Sequence, residues 1–453
     1  MSEQPRSTPS REILALAVPA FLALIAEPLF LLADSAIVGH LGVEPLAGLG
    51  IASSVLLTAA NIFVFLAYGT TSIVARQLGA GSRRGAIAAG IDGLWLAVVL
   101  GVVTAVLVGV LADPLCGFFG ASDAAREQAV TYLRISAAGI PGMLVVLAIT
   151  GVLRGLQDTR TPLVAAVMGF SANIALNVLF VYGLDMGIAG SAWGTVIAQT
   201  GMAVALVIVL IRDASRDHLP LRAHPGRVLA AARQGMPLLV RTLALRAALV
   251  LTVWVAAGLG DVPLAAHQVV ATVWSFMAFA LDALAIAAQA LVGKELGAGD
   301  TARVRAATDL MVRWGLVGGA VLGLLVIAFS GLLPGLFTSD PLLQHAITAG
   351  LIVAGLGQPL AGYVFVIDGV LIGAGDGPWL ARAQVVTLAA YLPLALGLAA
   401  IGSWIVGTPP TPVGEVNAVR WLWFAFTGFM VARAVTLRLR VGTTHWMVTG
   451  GTR

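Results

Sequence analysis

Apolar residues in this chain do not alternate with polar ones; they come in long runs separated by glycine, proline and charge. The runs predict helices at 12–38, 46–77, 86–112, 127–153, 160–183, 188–212, 231–257, 263–294, 304–334, 343–372, 378–403 and 416–436. Each reaches the roughly 20 residues that a helix needs to cross a bilayer. Basic residues fall on alternate connections. Arginine or lysine crowds the segments 76–84, 154–160, 212–233 and 294–305 and the tail, whereas 39–45, 113–126, 184–187, 258–262, 335–342 and 404–415 hold one, Arg126. By the positive-inside rule the basic connections and both termini are expected on the cytoplasmic side. The first run of about 25 residues exceeds a signal-peptide core and is read as an uncleaved span.

Sliding the sequence on itself exposes a repeat. At an offset of 218, residues 40–81 align without a gap on 258–299 with 14 of 42 identities. LGxxPLA opens both copies (Leu41 to Ala47, Leu259 to Ala265) and LGAG closes them (Leu78 to Gly81, Leu296 to Gly299). The same offset pairs Pro19 with Pro237, Pro141 with Pro359, and GVLxGxxD at 151–158 with GVLxGxxD at 369–376. Six helices per repeat is an even number, so both copies enter the membrane in the same sense. The expected fold is therefore all-α and polytopic: two parallel six-helix lobes related by a pseudo-two-fold axis, with a central cavity between them. The lobes are assigned to 1–212 and 231–453, with 213–230 as a cytoplasmic linker.

Composition sharpens this picture by exclusion. The chain has 453 residues, 59% of them hydrophobic and 11% charged, where a soluble protein carries about 25% charge. A soluble globular enzyme is excluded. One cysteine, Cys116, and six scattered histidines offer no disulfide and no metal-ligand spacing. GAGDG at 373–377 lacks the GK[ST] of a phosphate loop and is read as a turn between helices. No nucleophile and base converge, so the chain is not expected to be an enzyme, and a net charge of +4 placed at membrane connections gives no case for nucleic acid.

Charges within the predicted spans are functional candidates, because each costs at least about 2.5–3.5 kcal/mol at the bilayer centre. The first helix carries Glu27 and Asp34, seven residues apart and on one face. The fifth carries Asn173 and Asn177, four apart and also on one face. If these helices meet, they form a polar pocket with no basic residue at its depth. Desolvation disfavours the charged form of a carboxylate, so Asp34 is read as the group that binds and releases a coupling proton. Glu27 precedes Pro28 and has a second reading, as a partner for carbonyls freed by the proline. The second half carries Arg241, Arg246, Asp282 and Asp368. Two cations and two anions are read as a buried ion-pair network or as a lining for charged substrate.

AEPLFLLADSAIVGHLG at 26–42, LGAGS at 78–82, NIALN at 173–177, AAHQV at 265–269 and FALDALAIAAQALVGKELGAGD at 279–300 together resemble the multidrug and toxic compound extrusion family, in particular its DinF-like branch. The resemblance runs from Ile13 to about Arg440. It implies alternating-access export of bulky, often cationic or amphipathic organic compounds in exchange for H⁺ or Na⁺. The family's first-helix aspartate matches Asp34. Its fifth-helix Asn-x-x-x-Asp matches at Asn173 and departs at Asn177, and its sixth-helix Ala-Thr survives in part as Gly194-Thr195. Loss of the second carboxylate favours protons over Na⁺. In branches with a second-lobe Na⁺ site a glutamate accompanies the aspartate that Asp368 resembles; here Leu245 and Arg246 stand nearby, and that site is expected to be absent.

The combined expectation is a proton-coupled multidrug antiporter of a bacterial inner membrane, monomeric, without cofactor or metal, whose partners are small organic substrates and the lipid bilayer. Asp34 carries the proton, Asn173, Asn177, Thr195 and Glu27 complete the pocket, and Arg241, Arg246, Asp282 and Asp368 shape the second lobe. Na⁺-coupled efflux and a lipid-linked-precursor flippase of the same superfamily are the alternatives.

Overall fold

The structure is a computed structural model and describes residues 9–119 and 122–451. Its seventeen α-helices are α1 (Pro9–Gly39), α2 (Val43–Phe63), α3 (Phe65–Gly79), α4 (Arg83–Val110), α5 (Ala112–Gly117), α6 (Asp123–Ala137), α7 (Ile140–Gly155), α8 (Arg160–Val178), α9 (Gly187–Arg216), α10 (Pro225–Leu259), α11 (Asp261–Gly297), α12 (Thr301–Phe329), α13 (Pro341–Leu356), α14 (Gln358–Gly373), α15 (Gly377–Ala400), α16 (Gly402–Val406) and α17 (Pro412–Val441). Ten stretches are long and apolar enough to cross a membrane singly, α2 with α3 counting as one. Two helix pairs pass the same test only together and are bent at their break, α6 with α7 by 53° and α13 with α14 by 51°. With each bent pair taken as one span the described residues offer up to twelve crossings, and the chain is a multi-pass membrane protein.

The breaks correct the helices expected to run unbroken over 127–153 and 343–372. They fall at Gly139 and Gly357, 218 positions apart, each followed within two residues by proline (Pro141 and Pro359). Proline supplies no backbone N–H and is tolerated only in a first turn, so each marks a new helix start. The run 46–77 is also divided, at Val64, whereas its repeat partner α11 is continuous.

Backbone geometry carries the repeat further than identities do. Positive φ occurs at Gly42 (130°) and Gly260 (124°), at Gly81 (79°) and Gly299 (80°), and at Gln157 (68°) and Gly375 (70°). Each pair is 218 apart and each ends or opens a helix. The GAGDG string is thus the turn between α14 and α15, with Gly375 in the left-handed region. Contacts repeat as well: a Cβ on Gly151 would collide with the Ala67 carbonyl, and one on Gly369 with the Ala285 carbonyl. These matched contacts bring α7 against α3 and α14 against α11.

Residue contacts group the described chain into two units. The N unit comprises residues 14–236, 293–300 and 449–451; the C unit comprises 9–13, 237–292 and 301–448. This division falls at Pro237, inside α10, rather than at the 213–230 linker expected from sequence. Most of that linker is helical: α9 runs to Arg216 and α10 starts at Pro225. The remaining loop is tied to α4 by a Trp95 Nε1 hydrogen bond to the Leu221 carbonyl at 2.9 Å, between ion pairs Arg83–Asp213 (2.8 Å) and Arg227–Asp92 (3.4 Å).

Candidate functional site

Four helices of the N unit bring polar side chains to one buried point. α1 supplies Asp34, five residues before its end; α6 supplies Tyr132; α8 supplies Asn173 and Asn177 one turn apart; α9 supplies Ser191 and Thr195, also one turn apart. All six are buried, with Asp34 3% exposed and Asn177 and Ser191 fully enclosed. One Asp34 oxygen accepts from Asn177 Nδ2 and from Ser191 Oγ, each at 2.7 Å, and the other accepts from the Tyr132 hydroxyl at 3.4 Å. Asn177 Nδ2 also donates to Asn173 Oδ1 at 2.9 Å, and Asn173 Nδ2 donates to Thr195 Oγ1 at 3.0 Å. Among the described residues no arginine, lysine or histidine forms an ion pair with Asp34.

Local structure explains this convergence. The i, i+4 spacing of Asn173 and Asn177 matches that of Ser191 and Thr195, so two polar stripes face each other. Beyond Asn177 the helix widens into a π turn, Leu179–Gly183, whose Tyr182 hydroxyl donates to the Ile37 carbonyl of α1 at 2.5 Å. Gly194 is the spacer: a Cβ there would overlap Asn177 Oδ1. The amide at 177 and the glycine at 194, both departures from the pattern the sequence resembles, are therefore sterically linked. Asp34, Asn173, Asn177 and Thr195 are brought together as the sequence suggested. Glu27 lies on α1, and its side chain falls outside the described residues. Ser191 and Tyr132 were missed; the Ser191–Thr195 spacing was readable, while nothing local marks Tyr132.

The C unit departs from the expected charge set. Arg241 of α10 grips Asp368 of α14 with two nitrogens: Nε donates to Oδ1 at 3.2 Å and Nη2 to Oδ2. The further cation is Arg433 of α17, donating to Oδ2 at 3.1 Å, and all three residues are buried. Arg246 is exposed and Asp282 half-buried. At the repeat offset Asp34 and Asn173 correspond to Thr252 and Tyr391. These two also touch, with oxygens 2.8 Å apart, fully buried against Phe429. The polar pocket thus has an uncharged counterpart, filled by a ring.

Two stretches of the chain, residues 19–179 and 237–398, match the MatE family model, and their starts are 218 positions apart. The chain belongs to the MatE family. Among curated relatives of this MatE protein, it is 30% identical to Protein DETOXIFICATION 43 of Arabidopsis thaliana, over 97% of this chain and 92% of that one. It is 27% identical to DNA damage-inducible protein F of Escherichia coli (strain K12), over 95% and 91%. In fold it is similar to the solved structure of a MOP superfamily transporter from Pyrococcus furiosus Vc1 (DSM3638), with a TM-score of 0.83 over 96% of this chain and 97% of that one, at 22% identity.

Proposed function

We propose that this multidrug and toxic compound extrusion transporter is a proton-coupled antiporter of a bacterial inner membrane, with Asp34 as the proton carrier. The observation that carries the reading is a buried carboxylate held only by neutral donors from three other helices. Ionised, Asp34 accepts all three hydrogen bonds, and bonds to a charged acceptor are about twice as strong as neutral ones. Protonated, it must itself donate one, and the set that ties α1 to α6, α8 and α9 weakens together. α1 is suited to respond, because Pro28 interrupts its hydrogen-bond ladder less than two turns before Asp34. Taking up the proton then releases α1, and losing it restores the clamp. A substrate that binds only one of these two states is thereby exchanged against a proton.

Export of organic cations or amphipaths is what the family resemblance supports, with the arginine-rich connections placed on the cytoplasmic face. Protons are favoured over Na⁺ for two reasons. Asn177 gives the pocket an amide where a second carboxylate would help coordinate a metal ion. In the C unit, Asp368 is already neutralised by Arg241 and Arg433. The same saturation disfavours a flippase for lipid pyrophosphates, since Arg241 is engaged. In proteoliposomes with an imposed pH gradient, Asp34→Asn is expected to bind dye but not to couple its efflux to protons; coupling that survived the substitution would overturn the assignment.

A further inference from the structure

Helices α13 and α17 of the C unit begin on capped turns, with Asp340 accepting from the Leu342 and Leu343 amides and Thr411 from the Gly414 amide. Between them, along about the first three turns of each, lies an open groove of about 410 Å³. Leu342, Ile352, Val413 and Val416 make it apolar, and Arg420 is the charged residue in its lining, with no carboxylate among the lining residues. Arg420 lies eight residues into α17, about 12 Å along the axis at 1.5 Å per residue. It is exposed, and its guanidinium turns back to donate to Asn417 Oδ1 at 3.0 Å, toward the start of the helix. Among the described residues no carboxylate pairs with it. Trp421 beside it is 56% exposed, as aromatic residues at a membrane interface commonly are.

An arginine on the lipid-facing side of a span is costly unless its head reaches the interface and meets an anion there. The groove has the chemistry to receive such an anion. Its apolar wall is suited to an acyl chain, while Arg420 and the neighbouring His345 offer N–H donors to a phosphate. The equivalent face of the N unit makes a useful contrast: Glu127, Val130, Thr131 and Arg134 stand 218 positions before His345, Thr348, Ala349 and Ile352. The groove there, about 360 Å³, also holds Asp113 and Asp123, and Asp113 already pairs with Arg126 at 3.0 Å. Three carboxylates against two arginines repel a phosphate.

We propose that the α13–α17 groove binds an anionic phospholipid from the leaflet in which these two helices begin, with its phosphate on Arg420 and one acyl chain along Val413, Val416 and Ile352. The site is independent of the coupling ion and of Asp34. The test is native mass spectrometry of the full-length protein released from micelles holding equal phosphatidylglycerol and phosphatidylcholine of one acyl composition. Wild type is expected to retain phosphatidylglycerol preferentially. Arg420→Gln lowers that retention about tenfold, the loss expected for one charge-assisted contact. Val413→Glu, an exposed change that adds a carboxylate to the groove, lowers phosphatidylglycerol but not phosphatidylcholine, and Arg126→Gln leaves both unchanged. Undiminished phosphatidylglycerol on Arg420→Gln overturns the proposal. So does equal loss of the two lipids, or displacement of the lipid by millimolar inorganic phosphate, which would make free phosphate the ligand.

Discussion

The three donors around Asp34 differ in geometry, and the difference ranks their substitutions. Ser191 donates to the carboxylate at 2.7 Å, whereas Tyr132 does so at 3.4 Å. A short bond to a charged acceptor contributes about 1.5–3 kcal/mol and a long one nearer 0.5 kcal/mol. Ser191→Ala is therefore expected to slow proton-coupled dye efflux by about ten- to a hundredfold, and Tyr132→Phe by only a few-fold. Equal effects in a proteoliposome assay would show that the pocket is read wrongly. Gly194→Ala should match or exceed Ser191→Ala, since its methyl group must displace Asn177 from beside Asp34. The same experiment separates positioning from folding, because Gly194→Ala adds one methyl group at a polar pocket and its thermal midpoint in detergent can be read beside its transport. Asp34, Asn173 and Asn177 were readable in advance because a polar residue stands out in an apolar span. Tyr132 was not, because a tyrosine among helical residues looks the same whether its hydroxyl meets a carboxylate or an interface.

Among helices, the matched contacts of α7 on α3 and α14 on α11 give the repeat a mechanical test. Gly151→Ala and Gly369→Ala each force a Cβ into a facing carbonyl, and overpacking of this kind costs about 1–3 kcal/mol. Their melting temperatures in detergent are expected to fall by similar amounts; a fall in one alone would mean that the units pack by different rules. The Arg241–Asp368–Arg433 cluster has another signature. Asp368→Ala removes the acceptor that two buried guanidinium groups share, and breaking a buried ion pair costs about 3–5 kcal/mol. Thermal stability should therefore drop sharply, with transport falling only as folded protein is lost. The sequence displayed Asp368 and Arg241 but not their third member. Arg433 sits near the basic tail and was indistinguishable from the arginines that orient helices. The helix breaks at Gly139 and Gly357 were not placed in advance, since a proline inside an apolar run can either kink a helix or start a new one. What remained visible was the 218-residue register, because turns and prolines constrain residue type more tightly than lipid-facing positions do.

For the whole transporter, the proposed single carrier, Asp34, would fix the energetics of exchange. A single proton brings about 1.36 kcal/mol per pH unit and about 2.3 kcal/mol per 100 mV. Exchanged one for one against a monovalent cation, it moves no net charge. Efflux of such a dye is then expected to follow the pH gradient alone, up to about tenfold accumulation per pH unit, and to ignore a potential set with potassium and valinomycin. An uncharged substrate should respond to both. A monovalent cation driven by potential at equal pH would require a second transported proton. The all-helical, many-span plan and its internal repeat were legible in the sequence, since hydropathy and register are properties of long stretches; the division of contacts at Pro237 was not, since it depends on which helices touch. The hydroxyl pair Thr252–Tyr391 carries the last consequence. At the positions 218 residues on from Asp34 and Asn173, an aromatic ring and a hydroxyl occupy the space that the polar pocket takes in the N unit, so the repeat keeps its register while its two copies divide their roles. On the proposed reading the C unit has no carrier to keep titratable, so its interior can hold the fixed charges Arg241, Asp368 and Arg433 without entering the count of protons per cycle.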